Sequence, residues 1–322
     1  LPGIHAETRA LQSRRLDRVV NTRINDQDAL LAKLVVEQRM IHDGYSLSVM
    51  SETIKIAAQA HELVPTYLKP GMRAREVWSR MQAYFTARGY GVAYNPIITS
   101  RGEVLHGGVD DAPMADGELL LLDVGCEHPN GSASDISRTW SVSGVLSDTQ
   151  SLIHQAVGLA QNAAIERCQV GEEYTQVHMS AMRSLTHSLM ELGVFKGSLD
   201  ALMEREVGAY FFPHGVGHLL GLDVHDMEDL GDVAGYAEGR QRSARRSLKY
   251  LRMNRTLERN MIVTIEPGFY QIPQLMDQAR NNCPEMIDWR ILAQFADVRG
   301  VRLEDDVLIE KTGPVVLSRH LH

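Results

Sequence analysis

An α+β fold is what the sequence predicts, on three observations. Four long stretches carry apolar residues at helical spacing, the apolar run Leu119 to Val124 is followed across a turn by a second extended stretch, and two further strand-like runs follow a long charged connection. Taken in order, residues 1 to about 30 are polar and mix both signs of charge in RRLDRV and TRINDQD, which reads as a terminal helix or linker. From about Leu31, the residues Leu34, Val35, Ile41, Leu47, Met50 and Ile54 fall on rough helical spacing, and the helix is expected to run to Leu63 before Pro65 interrupts it. After the turn KPGM, Arg75 to Arg88 is a second helix with Val77, Trp78, Met81 and Phe85 inside.

Tyr94 to Thr99 is a short strand, followed by a loop with His106 and the pair Gly107-Gly108. Leu119 to Val124 and Ser132 to Val142 form a hairpin across His128-Pro129-Asn130-Gly131. Helices over about Asp148 to Cys168 and Tyr174 to Leu192 come next, and residues 227 to 259 are a charged connection whose arginines read mostly as solvated. Met261 to Ile265 is a buried strand running into Glu266-Pro267-Gly268. Residues 270 to 298 are irregular with a short helix near Ile287 to Gln294. Gly300 to Glu310 is the last strand, with Val301, Leu303, Val307 and Ile309 on one face and Arg302 and Glu304 on the other.

With 322 residues, 44% of them apolar, the chain can bury the core of one large domain or two ordinary ones. A formal charge of −8 argues against phosphate-backbone binding as the main activity, because nucleic-acid proteins present a basic face. Cys126, Cys168 and Cys283 are odd in number, distant and without a CxxC pair, which points to reduced thiols in a cytoplasmic setting. No apolar run reaches the ~18 residues of a membrane helix, and no repeat at solenoid periods is visible. The chain begins at Leu1 without a signal-like segment, as a processed start or a piece of something longer would.

Chemistry concentrates in FFPHGVGHLLGLDVHD, Phe211 to Asp226, where His214, His218 and His225 are separated by Gly215, Gly217 and Gly221. Histidine is a common metal ligand and the side chain best suited to proton transfer near neutral pH, although the same stretch also fits a plain loop over a core edge. Acids at strand positions add to it. If the hairpin is symmetric about Pro129, Asp123 and Asp135 stand directly opposite each other, where like charges destabilise a sheet unless a cation or a shared proton intervenes. Glu266 poses the same problem at the end of MIVTI, and Glu304 beside Arg302. A set of carboxylates and one histidine favours paired Mn, Co or Zn ions over a thiolate zinc site.

The motifs LLLDVG, SDISRTW, FPHGVGHLLGLDVHD, VTIEPGFY and GVRLEDDVLI, in this order, resemble those of the pita-bread metallopeptidases, in the Xaa-Pro dipeptidase (prolidase) and aminopeptidase P branch. The resemblance spans about residues 31 to 322 and implies the pita-bread (creatinase/aminopeptidase) fold, a curved antiparallel sheet with outer helices and an internal pseudo-two-fold. It makes 31–322 the catalytic domain and 1–30 a linker or the remnant of an N-terminal domain. It implies Asp123, Asp135, His218, Glu266 and Glu304 as ligands of two divalent ions, most simply Mn, with Asp135 and Glu304 bridging. His106, His214 and His225 correspond to non-ligand histidines that bind substrate and the tetrahedral intermediate, Arg302 to a bracing arginine, and Glu266 doubles as proton acceptor. Arg252, in YLRMNR, matches loosely an arginine that holds a dipeptide's free carboxylate.

These residues favour hydrolysis of Xaa-Pro dipeptides, with an Xaa-Pro aminopeptidase acting on longer peptides as the alternative. A non-catalytic binding protein on the same fold is a further alternative, and the presence of all five ligand positions argues against it. The expected partner is a small peptide containing proline, with no nucleic acid and no membrane. The resemblance also leaves room for a homodimer.

Overall fold

The computed structural model describes residues 6–20 and 26–319. Within the first 30 residues it places α1 (Ala6–Leu16), which buries no residue, and the start of α2 (Asp26–Arg39); residues 1–5 and 21–25 lie outside the described residues. The helix expected to run unbroken to Pro65 is two helices. α2 stops at Arg39, and α3 (Gly44–Tyr67) starts afresh with Asp43 as its N-cap, the carboxylate accepting from the Ser46 N–H at 2.8 Å. Pro65 instead sits inside the last turn of α3, where the helix has only two residues left to lose.

α3 leads into α4 (Ala74–Thr86) as α5 (Asp148–Arg167) leads into α6 (Tyr174–Glu191). The two connections turn alike: Gly71 has φ +87° and Gly171 φ +88°, a left-handed backbone that a residue with a Cβ resists. That shared turn is the local signature of an internal duplication, on a longer period than any solenoid repeat. After each helix pair comes antiparallel sheet. β1 (Gly91–Val92) pairs β4 (Cys126–Glu127), and β2 (Ile97–Thr99), β3 (Leu119–Asp123) and β5 (Ser137–Ser141) form one ladder in the order β2-β3-β5. In the second half β6 (Ile262–Ile265), β9 (Asp305–Glu310) and β10 (Gly313–Val316) form a ladder in the order β10-β9-β6, while β7 (Gly268–Tyr270) pairs β8 (Gly300–Arg302).

Between the helix pairs and the late strands lie α7 (Leu199–Glu204) and α8 (Asp232–Gly235), then α9 (Pro273–Asn282) and α10 (Trp289–Leu292). The charged connection 227–259 is thus broken by α8 and a short turn at Glu228–Leu230. The expected last strand is also broken: it divides at Leu303-Glu304, and a further strand, β10, follows it. The interruption lets Glu304 donate its N–H to the Ser137 carbonyl at 3.0 Å, while Thr139 Oγ1 donates to the Arg302 carbonyl at 3.0 Å, so the second half is stitched to β5 of the first.

Two large apolar cores and a smaller one, which joins Met50 and Ile54 of α3 to Ile262 of β6, result among the described residues. One holds Val77, Met81 and Phe85 of α4 against Leu120 and Leu122 of β3, and the larger holds Val157, Leu185, Phe211, Phe269 and Val307 beneath α5 and α6. Each such side chain contributes about 1.5–3 kcal/mol by leaving water. Strand ends emerging between these cores carry the acids.

Candidate metal centre

Asp123 closes the apolar run of β3, and Asp135 follows the turn that returns to β5. Their relation differs from direct opposition. The register sets Asp123 against Ser137, so the ladder is centred on Asn130 rather than Pro129, with Gly131 at φ +95° completing the turn. A shift of one in the centre moves the partner by two residues, which leaves Asp135 diagonal to Asp123 but on the same face. Opposite Asp135 in this register comes Gly125, where a Cβ would lie 1.8 Å from the Ser134 carbonyl oxygen and 2.8 Å from the Tyr94 ring. The gap holds the Tyr94 hydroxyl, which lies 2.7 Å from Asp123 Oδ1 and 2.6 Å from Asp135 Oδ1.

His218 is set by the glycine stretch and by β6. Its N–H donates to Thr264 Oγ1 at 3.1 Å and its carbonyl accepts from the Thr264 N–H at 2.9 Å. That approach requires Gly217, since a Cβ there would stand 1.9 Å from the Thr264 carbonyl oxygen. The ring Nδ1 faces the Leu219 carbonyl at 2.9 Å, so Nδ1 carries a hydrogen, and Nε2 faces the acids, 3.3 Å from Asp135 Oδ2 and 3.6 Å from Glu266 Oε1. Glu266 follows β6 directly and Glu304 lies in the break between β8 and β9. Donor atoms of Asp123, Asp135 and Glu304 lie within 4.8 Å of one another, as do those of His218, Glu266 and Glu304, and those of Asp135, His218 and His225.

So many carboxylates cannot all be charged here without a cation. Burial, with Asp135, Glu266 and Asp123 as neighbours, drives the Glu304 carboxyl well above its ordinary range. Burial also pushes Glu266 up to about 7 against the pull of His218 and Arg302. For Asp135 burial is outweighed by His218, and its carboxyl falls below the usual value. The positive groups present are few. Arg302, itself buried, donates Nη2 to Asp123, Nε to Ser137 Oγ at 2.9 Å and Nη1 to the Tyr270 hydroxyl at 3.2 Å, and Ser137 Oγ passes on to Glu304 Oε2 at 2.7 Å. Arg138 supports the same strand break from behind, donating to the Glu304 carbonyl at 2.6 Å and to Asp305 Oδ1 at 2.7 Å. Four acids, one histidine and a single engaged arginine are a donor set that fits divalent cations with oxygen ligands.

The remaining histidines differ in what they can offer. His214 is closed at both ring nitrogens, Nδ1 against the Gly215 carbonyl at 2.8 Å and Nε2 against the Tyr270 hydroxyl at 2.9 Å. Burial, with Arg302 nearby, holds its pKa down at about 3, so it is neutral. His225 stacks edge-on against His218, ring centroids 4.3 Å apart, and is half exposed. His106 is exposed on its loop. All three line a cavity of about 590 Å³, together with Arg252 and the four acids and one histidine above. Arg252 is engaged: its Nη1 donates to Glu228 Oε2 at 2.6 Å. Tyr94, Ser137, Arg138, Tyr270 and Glu228 are the site's neighbours that sequence reasoning missed. Ser137 and Arg138 stood inside the quoted motif SDISRTW and Tyr270 inside VTIEPGFY, but none carries a pattern that announces its partner.

An antiparallel α+β fold whose strand ends converge on buried acids and one histidine at the floor of a cavity belongs to a metal-site class of protein. The chain is a member of Metallopeptidase family M24, whose model matches residues 48–311. It is 33% identical over 307 residues to the Xaa-Pro dipeptidase of Mus musculus, covering 92% of this chain and 61% of that protein. It is 32% identical over 291 residues to a probable Xaa-Pro aminopeptidase of Podospora anserina, covering 88% of this chain and 61% of that protein. The chain therefore spans about three fifths of the length of the curated relatives it matches. Among solved structures it is similar to zinc-substituted aminopeptidase P of E. coli in complex with product, with TM-score 0.76 and 27% identity over 98% of this chain and 66% of that one. It is also similar to proline aminopeptidase P II of Yersinia pestis, with TM-score 0.73 and 29% identity over 88% of this chain and 58% of that one. The fold is the pita-bread fold expected from the sequence. Among the described residues no helix is long and apolar enough to cross a membrane.

Proposed function

We propose that the chain hydrolyses the bond before proline in dipeptides bearing a free α-amine, with Asp123, Asp135, His218, Glu266 and Glu304 holding two divalent ions. One observation carries this reading: the donor atoms of these five residues gather in overlapping groups, each within 4.8 Å, on the floor of an open cavity. Oxygen-rich ligation makes manganese the first choice, with cobalt and zinc as substitutes. When bound, such a pair of ions supplies an activated water and a polarised carbonyl.

The chain's own groups do the rest. Glu266, at the end of β6 and facing the same cavity, is the carboxylate we assign to take the water's proton and return it to the leaving proline nitrogen. Arg302, Tyr270 and His214 form one hydrogen-bonded row that keeps Asp123 aimed and the His214 ring fixed. Because both nitrogens of His214 are engaged, His225 and His106 are the donors free to meet the substrate carbonyl. Arg252, which lines the same cavity, takes the dipeptide's carboxylate.

A second reading, release of the first residue from longer peptides, is favoured by the likeness to solved aminopeptidase P structures. Turnover of Xaa-Pro against Xaa-Pro-Xaa by the manganese-loaded protein separates the two. Clear preference for the tripeptide removes the dipeptidase reading, and no turnover of either removes both.

A further inference from the structure

We infer that Glu228 is a specificity-determining positioning residue: it fixes the Arg252 guanidinium in advance and thereby sets how strongly the cavity prefers a substrate that ends in a free carboxylate. The inference rests on the dipeptide reading above and adds to it a residue that no motif marked.

The backbone at Arg252 is already secured. The neighbouring Leu251 carbonyl accepts from the Tyr236 hydroxyl at 2.9 Å and from Arg242 Nη1 at 3.1 Å, and the Asn254 N–H donates to the Gly235 carbonyl at 2.8 Å. A little upstream, Glu206 gathers Arg245 Nε at 2.9 Å, the Arg246 N–H at 3.0 Å and Ser247 Oγ at 2.5 Å. What is left to order is the long side chain. Immobilising one such side chain on binding costs about 0.5–1.5 kcal/mol, a cost removed when it is held beforehand.

Glu228 is built to hold it. Met227, just before it, has a left-handed backbone at φ +63° although it is not glycine, a conformation that costs roughly 1–2 kcal/mol and is here secured by burying the Met227 side chain to 2% exposure. The Glu228 N–H donates back to the His225 carbonyl at 3.1 Å. This tight turn brings one carboxylate oxygen, Oε2, to 2.6 Å from Arg252 Nη1 and 3.6 Å from His225 Nδ1. Glu228 thus touches both Arg252, assigned to the substrate's carboxylate, and His225, assigned to its carbonyl.

The contact with Arg252 uses a single nitrogen. A guanidinium carries five N–H donors in a planar fork, and among the described residues Arg252 donates only through Nη1. The Nε and Nη2 donors are left for an incoming carboxylate. The other Glu228 oxygen, Oε1, is buried without a partner, so this carboxylate is not there to satisfy itself. A strut and a competitor make opposite predictions: a strut helps the substrate's carboxylate to bind, whereas a competitor must be displaced by it.

The test uses the manganese-loaded chain with Ala-Pro and its C-terminal amide, which share the scissile bond and differ only in the charge at Arg252. For the unaltered chain, KM should be lower for Ala-Pro than for the amide. Glu228→Ala should raise KM for Ala-Pro roughly three- to tenfold, the fold-change equivalent to the ordering cost, while KM for the amide rises much less, so that the preference for the free carboxylate shrinks. Glu228→Gln, which keeps an oxygen acceptor for Nη1, should restore most of the lost affinity. A fall in KM for Ala-Pro in Glu228→Ala, or an equal change for both substrates, overturns the strut. Absence of any preference in the unaltered chain is a separate result: it removes the dipeptide reading, and the inference falls with it.

Discussion

The Tyr94 hydroxyl lies 2.7 Å from an oxygen of Asp123 and 2.6 Å from an oxygen of Asp135, and it has one proton to give. Burial, reinforced by Asp123 and Asp135, drives the phenol well above its ordinary pKa, so the proton stays on. One of the two contacts is therefore oxygen against oxygen without a hydrogen between. That is tolerable only if a carboxyl is protonated or a cation lies close.

Tyr94→Phe should accordingly destabilise the metal-free protein by about 1–3 kcal/mol, because one buried carboxyl loses its donor. The loss should be smaller once manganese is bound. Calorimetry on both forms checks this, and equal losses in the two would separate Tyr94 from the acid cluster.

Asp135→Asn removes one negative charge facing His218 Nε2 at 3.3 Å. The expected outcome is a protein with normal circular dichroism, a large loss of bound metal by elemental analysis, and no hydrolysis of Xaa-Pro substrates. Full metal content in this variant would mean that Asp135 is not a ligand.

His225→Ala should leave the metal content intact and abolish turnover, since its ring lies against His218 at the cavity wall. A ring nitrogen of His225 is nevertheless within 4.8 Å of donor atoms of Asp135 and His218. Metal-free His225→Ala protein would therefore move this residue into the ligand set.

His61 and His178 give a pH dependence away from the acids. Burial, with Arg138 nearby, holds His61 down at about 3, and burial holds His178 at about 4, while Nε2 of each donates to a carbonyl, Val124 at 2.9 Å and Ser247 at 2.7 Å. Unfolded, both titrate near 6.5, so between 6.5 and the folded values only the unfolded chain takes up the proton. Stability must then fall as pH drops through 6.5, by up to about 1.4 kcal/mol per pH unit for each group. Melting between pH 6.5 and 4.5 should show this slope, and His178→Gln should flatten it. An unchanged slope in that variant would assign the acid sensitivity elsewhere.

The pattern of strands and helices was legible because apolar spacing reports directly on burial. Asp123 stood out as an acid at the end of four leucines, and the three histidines stood out among glycines. Register was not legible: Pro129 and Asn130 are both turn residues, and choosing the wrong centre displaced the partner of Asp123 from Ser137 to Asp135. β10 was missed although Lys311-Thr312 and Gly313 are turn-like, because Pro314 reads against a strand. It is tolerated there because β10 is an edge, paired on one side with β9. Tyr94, Tyr270 and Glu228 owe their places to partners far along the chain or to a strained turn, and neither leaves a local signature.

The duplication marked by Gly71 and Gly171 divides the proposed ligands unequally. Asp123 and Asp135 rise from the part built on α3 and α4, while His218, Glu266 and Glu304 rise from the part built on α5 and α6. An ion held by Asp123, Asp135 and Glu304 would be a staple across the seam. Chelation would then do more than silence chemistry: it would remove one of the ties between the two parts.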